Sequence, residues 1–173
     1  MILLVTGGSG SGKSVWAEKT AHVLCPETKI YLATMQAADP ESAPRIRRHR
    51  LQRAALNFET IECPLNLAVA PVPMEAVVLL EDVPNLLANE MFGGGNSERI
   101  LPDLRALAST CSHLIMVTND VFSDGFQYPE STRHYMEQLA LINRELAESA
   151  DIVVEVVYSI PVCIKGAFPP ETA

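Results

Sequence analysis

Residues 7 to 14 read Gly7-Gly8-Ser9-Gly10-Ser11-Gly12-Lys13-Ser14 and match the spacing G-x-x-x-x-G-K-[ST]. Residue types in this pattern suit one chemistry above others. Backbone N–H groups converge on a phosphate only where side chains are absent, and a helix that starts at the loop adds the positive end of its dipole. Lys13 then reaches the β- and γ-phosphates, and the Ser14 hydroxyl takes a place on Mg²⁺. The apolar run Ile2-Leu3-Leu4-Val5-Thr6 ends at the loop, and a helical pattern follows it. That strand–loop–helix context separates the motif from a chance glycine-rich turn, so the chain is expected to bind a nucleoside triphosphate.

Two other clusters can do chemistry. Glu81-Asp82 closes the apolar run 76–82, where a carboxylate can hold Mg²⁺ beside a phosphate loop; the alternative is that these acids cap a helix beginning near Pro84. The segment Arg45-Ile46-Arg47-Arg48-His49-Arg50-Leu51-Gln52-Arg53 places five arginines in nine residues of an acidic chain. It reads either as a solvated basic face or as a phosphate site, since guanidinium forks fit phosphate oxygens. On a helix Arg45, His49 and Arg53 share one face at i, i+4 and i+8. A neutral imidazole there can attack phosphorus, with the arginines stabilising the transferring group, although a lone histidine is also a common structural residue or phosphate contact.

The elements that position these groups alternate between strand and helix. Strands are expected over 2–6, 29–34, 59–63, 76–82, 114–118 and 151–157, with extended residues around Val162-Cys163-Ile164. A helix carrying Val15, Trp16, Thr20 and Val23 follows the loop and stops near Cys25-Pro26; others are expected over 43–55, near 84–92, near 97–110 and over about 130–149, with a flexible Gly93-Gly94-Gly95-Asn96 loop. The pattern predicts a P-loop NTPase-like, RecA-like α/β fold, a mostly parallel sheet flanked by helices with ligands at the strand carboxyl ends. A single domain spans 1–173, with a flexible tail over 167–173.

Composition narrows the partners. Of 173 residues 48% are hydrophobic, enough for one core, and 13 basic against 21 acidic side chains give a net charge of −8. That balance opposes nucleic acid and anionic membranes and favours a small-molecule substrate. The four cysteines form no C-x-x-C pair, so neither a zinc site nor a disulfide framework is suggested, and they read as buried thiols of a reducing cytosol. With no leader pattern and no apolar run near the ~20 residues that span a bilayer, a cytoplasmic protein without a membrane anchor is expected.

Taken together, Thr6-Gly7-Gly8 with Ser11-Gly12-Lys13-Ser14, Tyr31-Leu32-Ala33-Thr34, Arg45-Ile46 with His49-Arg50 and Arg53, Thr60-Ile61-Glu62 and Leu79-Leu80-Glu81 resemble the bifunctional adenosylcobinamide kinase/adenosylcobinamide-phosphate guanylyltransferase family. Asn89, Val117-Thr118-Asn119-Asp120-Val121, Pro129-Glu130, Arg133, Asn143-Arg144 and Ala147 with Ala150-Asp151 continue the resemblance over roughly 1–166. The chain departs from the pattern at Arg53-Ala54, where the family has Arg-Pro and then tryptophan (Phe58 standing near the aromatic position). It departs again at Asp82-Val83-Pro84-Asn85 and at Phe122, where the family has a glycine.

The resemblance implies an enzyme that phosphorylates adenosylcobinamide with ATP or GTP. It then transfers GMP from GTP to that phosphate through guanylylated His49, giving adenosylcobinamide-GDP for cobalamin assembly. It further implies that Gly7–Ser14, Thr34, Met35, Gln36, Arg50, Leu51, Gln52, Arg53, Glu62 and Glu81 line the GTP site. Homo-oligomers, often trimers, are implied as well. Either Glu62 or Glu81 can accept from the N1–H and amine of guanine. Two other readings stay open: a kinase that has lost the guanylyl step, and a nucleotide-binding protein without turnover.

Overall fold

The computed structural model describes residues 1–24, 27–35, 56–120 and 126–169. Seven strands form one sheet: β1 (Ile2–Thr6), β2 (Lys29–Ala33), β3 (Phe58–Glu62), β4 (Val77–Glu81), β5 (His113–Val117), β6 (Ile152–Val157) and β7 (Ile160–Lys165). Their order is β3-β2-β4-β5-β1-β6-β7, with β7 antiparallel to β6 and the other pairings parallel. Four α-helices, α1 (Lys13–Leu24), α2 (Val83–Phe92), α3 (Ile100–Thr110) and α4 (Glu130–Ser149), and two 3₁₀ turns, Leu67–Val69 and Ser97–Arg99, complete the described elements.

The central strands read as unbroken apolar runs because helices cover both sheet faces. Alternate residues divide between two cores. Leu3, Val5, Val77, Leu79, Ile115 and Val117 pack with Ala17 and Ala21 of α1 on one face. Leu4, Val78, Leu80, Leu114 and Met116 pack with Leu86, Leu87, Leu104, Leu139 and Leu146 of the other three helices on the opposite face. This is the mostly parallel, helix-flanked sheet expected.

Three details differ from the periodicity. α1 turns its small residues Ala17, Thr20 and Ala21 inward and leaves Val15 and Val23 at the surface, because small side chains let the helix lie close over the loop and sheet. The helix expected over 97–110 opens as a 3₁₀ turn, Ser97–Arg99, capped by Asn96, whose side chain accepts from the Glu98 N–H at 3.0 Å, before α3 begins. The extended residues around Val162 prove to be a full strand, β7, hairpinned onto β6. Where a flexible tail is expected from 167, the Phe168 ring packs edge-on against Trp16 at 6.2 Å and Pro169 is buried; 170–173 lie outside the described residues. Cys63, Cys111 and Cys163 are free thiols, of which only Cys63 is buried; burial, with Glu90 nearby, pushes its thiol up. Cys25 lies outside the described residues. Among the described residues no helix is long and apolar enough to cross a membrane.

Glu90 on α2 is a buried acid that holds two loops. One carboxylate oxygen accepts from the Asn66 N–H and the other from the Asn96 N–H, both at 2.6 Å. Glu90→Ala leaves both donors without a partner, so urea unfolding should show a loss of about 3 kcal/mol. A loss below about 1 kcal/mol would mean that water replaces the carboxylate at both loops.

Candidate nucleotide site

The loop between β1 and α1 is shaped by crowding at two glycines. A Cβ at Gly7 (φ +149°) would lie 2.5 Å from the Val156 carbonyl oxygen and 2.8 Å from Ser11 Oγ. At Gly12 (φ +93°) it would lie 2.6 Å from Ser159 Oγ. Only glycine combines these torsions with these approaches. The loop is closed by the Ser11 N–H donating to the Gly8 carbonyl (3.2 Å), and α1 begins with the Trp16 N–H on the Gly12 carbonyl (3.0 Å). From the β6–β7 hairpin the Ser159 N–H donates to the Ser11 carbonyl at 2.7 Å. Gly8, Ser9 and Gly10 remain exposed along the mouth. Lys13, although 93% removed from solvent, folds its ammonium back to the Gly8 carbonyl at 3.2 Å, which places the charge inside the loop. A cradle that Cβ atoms would fill, with a buried cation in it, fits a phosphate.

The carboxyl end of β4 meets the loop. Ser14 donates its hydroxyl hydrogen to Glu81 Oε1, and the Tyr31 hydroxyl donates to Oε2 at 3.1 Å. Hydroxyl plus carboxylate, both hard oxygens beside a phosphate cradle, is a donor set suited to Mg²⁺. Asp82 has a different task. It N-caps α2, its Oδ1 accepting from the backbone N–H and the side-chain amide of Asn85, each at 2.8 Å. Burial raises the Asp82 carboxyl above its ordinary range; the Asn85 N–H opposes this, neighbouring Glu81 adds to it and Lys13 opposes it. The helix-cap reading of this acid pair therefore applies to Asp82, and Glu81 faces the loop.

Polar side chains lock the neighbouring strand ends. The buried Thr34 hydroxyl donates to the Asp82 carbonyl (2.9 Å) and accepts from the Asp82 N–H (2.7 Å). The Asn89 amide donates to the carbonyls of Thr34 (2.8 Å) and Pro64 (3.1 Å), tying α2 to the ends of β2 and β3. At the end of β5, the Thr118 hydroxyl donates to Asn143 Oδ1 of α4 at 2.7 Å. Tyr135 donates to the Pro84 carbonyl at 3.1 Å, and burial, with Asp82 nearby, pushes its hydroxyl up to about 12.

Of the expected site residues, Gly7 to Ser14, Thr34 and Glu81 come together here, with Met35 half-buried just past β2. Glu62 does not join them directly. It is exposed at the end of β3, on the sheet edge four strands from β1, about 19 Å at ~4.8 Å per strand. Gln36, Arg45, His49, Arg50, Leu51, Gln52 and Arg53 lie outside the described residues. Sequence reasoning missed Tyr31 as a partner of Glu81 and Ser159 as a support of the loop. Tyr31 reads only as a strand aromatic, and Tyr158-Ser159 carries no glycine, asparagine, aspartate or proline to mark a turn.

Comparison with known proteins agrees in sequence and shape. The family model for cobinamide kinase / cobinamide phosphate guanyltransferase matches residues 3–164. The chain is 33% identical to the bifunctional adenosylcobalamin biosynthesis protein CobU of Salmonella typhimurium, over 95% of this chain and all of that one. It is 31% identical to CobP of Pseudomonas aeruginosa, over 94% and 96%. In shape it is similar to the flagellar accessory protein FlaH of Methanocaldococcus jannaschii (13% identity, TM-score 0.50, 97% of this chain and 81% of that one). A KaiC-like protein of Pyrococcus horikoshii superposes equally well (11% identity, TM-score 0.50, 98% and 81%). These likenesses, with the loop geometry, mark the fold as P-loop NTPase-like and RecA-like. A match spanning nearly every described element, not the phosphate loop alone, means that this chain belongs to the cobinamide kinase / cobinamide phosphate guanyltransferase family.

Proposed function

We propose that the chain phosphorylates adenosylcobinamide with ATP or GTP, then transfers GMP from GTP to the new phosphate, releasing pyrophosphate and forming adenosylcobinamide-GDP. The observation that carries this reading is the family match over residues 3–164, whose loop, Ser14 and Glu81 meet in one place. The loop N–H groups and Lys13 hold the triphosphate. Ser14 and Glu81 hold Mg²⁺, which offsets the charge of the phosphates. His49 attacks the α-phosphorus of GTP: a nitrogen–phosphorus bond forms as pyrophosphate leaves. An oxygen of cobinamide phosphate then displaces the histidine, and that bond breaks. Arg45, Arg50 and Arg53 stabilise the charge on the transferring group, and Thr34, Met35, Gln36, Leu51 and Gln52 line the same site. Glu62 or Glu81 accepts from the N1–H and amine of guanine, a donor pair that adenine lacks. A homo-oligomer, a trimer as the family resemblance implies, suits the exposed Ile160, Val162 and Ile164 on edge strand β7.

Two experiments test the reading. Incubation with Mg²⁺ and GTP labelled at the α-phosphate should give an acid-labile, alkali-stable label on the protein, reduced on the order of 10³-fold or more in His49→Asn, with cobinamide phosphorylation retained. A wild-type protein that binds GTP but takes up no label leaves a kinase-only or binding role, and loss of both activities in the variant makes His49 structural or shared between the two steps. Glu81→Gln keeps an acceptor for Ser14 but removes the charge. Its kinase kcat should fall about 10²-fold, and its Mg²⁺ requirement should rise, with metal-free nucleotide affinity unchanged. An unaltered Mg²⁺ titration would remove Glu81 from the metal site.

A further inference from the structure

β6 and β7 are joined by two residues, Tyr158 (φ +50°) and Ser159 (φ +65°). Two-residue hairpin turns with positive φ at both positions favour Asn-Gly, Asp-Gly or Gly-Gly, and a bulky residue is the least suited to them. Ser159 has a visible reason to be there: its N–H donates to the Ser11 carbonyl at 2.7 Å, and its hydroxyl oxygen lies 2.6 Å from the vacant Cβ position of Gly12. Tyr158 has none in the protein itself. It is 91% exposed and makes no hydrogen bond or ring contact with a described residue. An aromatic ring is thus held in a disfavoured turn conformation, in solvent, one residue from the segment that closes the phosphate loop. Conformational outliers of this kind persist where a function retains them.

We propose that Tyr158 is the platform for the base of the nucleotide whose phosphates the loop holds, a proposal that rests on the reading of the loop as a nucleoside triphosphate site. A tyrosine face accepts any base, because every base has a π-face. Such a seat serves ATP and GTP alike as phosphate donors. It is also separate from Glu62. β6 flanks β1 on one side, whereas β3 lies four strands away on the other, so one base cannot rest on Tyr158 and be read by Glu62. In the kinase step, then, the donor base rests on the hairpin, on the side of β1 away from the edge strand that carries Glu62.

The test compares Tyr158→Ala and Tyr158→Phe with the wild type, full chain, by calorimetric titration with Mg²⁺ and either ATP or inorganic tripolyphosphate, without cobinamide. Loss of the stack should raise the ATP Kd about tenfold in Tyr158→Ala, leave it near wild type in Tyr158→Phe, and leave tripolyphosphate binding unchanged in both. Equal weakening of ATP and tripolyphosphate would overturn the proposal, since the hairpin would then only support the loop. So would an unchanged ATP Kd, whether or not light scattering shows an altered assembly, because the ring would then lie outside the nucleotide site or between copies of the chain. A wild type that binds neither ligand would overturn the triphosphate reading itself. A wild type that binds ATP but fails to phosphorylate cobinamide would overturn the proposed function alone and leave the Tyr158 result standing.

Discussion

The phosphate loop depends on backbone crowding from two directions. The Val156 carbonyl and Ser159 hydroxyl occupy the space that side chains at Gly7 and Gly12 would need, while Ser14 at the start of α1 is fastened to Glu81 at the end of β4. Neither contact exists unless β4, β5, β1 and β6 lie side by side in that order. The crossovers between them, and the two cores that hold helices on both faces, are in this sense the scaffold of eight loop residues. Because the loop is fixed before any ligand arrives, its N–H groups need little reorganisation to meet a phosphate, which is the condition under which fixed dipoles act most strongly.

Legibility followed burial. β1 and β4 were plain because strands covered on both faces must be apolar throughout, and the loop was plain because its chemistry demands glycine, lysine and serine at set spacing. The inward face of α1 was less plain, since Ala17 and Ala21 give little hydrophobic signal although close packing needs them small. The hairpin was hidden for a different reason. Tyr158-Ser159 offers no glycine, asparagine or proline, and Ile160, Val162 and Ile164 put their apolar side chains outward, so the extended residues around Val162 are legible but neither turn chemistry nor burial marks the turn or the full length of β7. In sequence nothing sets Glu90 apart from other helix acids, because nothing local shows that two loop N–H groups converge on it. Glu62 and Glu81 also look alike in sequence, for both end strands. Only the sheet order sets one beside the loop and the other at the edge.

The adjacent acids Glu81 and Asp82 show how position divides like groups. Successive residues at a strand end point in different directions. Glu81 turns toward Ser14 and Tyr31, while Asp82 takes the first N–H groups of α2. Asp82 is therefore the more structural of the two. Burial and the neighbouring Glu81 both disfavour its charged form, and the cap hydrogen bonds with the Lys13 ammonium work to keep it. The exchange of hydrogen bonds between Thr34 and the Asp82 backbone keeps this end of β4 from moving independently of β2.

A net charge of −8 and a polyphosphate ligand look incompatible until distance is considered. Surface charges are screened over about 8 Å at physiological ionic strength, whereas partly buried groups are screened much less. A phosphate in the loop meets the buried Lys13 and the N-terminus of α1, equivalent to roughly +0.5 charge, at contact range. These local charges outweigh a diffuse field from scattered exposed acids. The net charge therefore says little about a phosphate held at contact range in the loop.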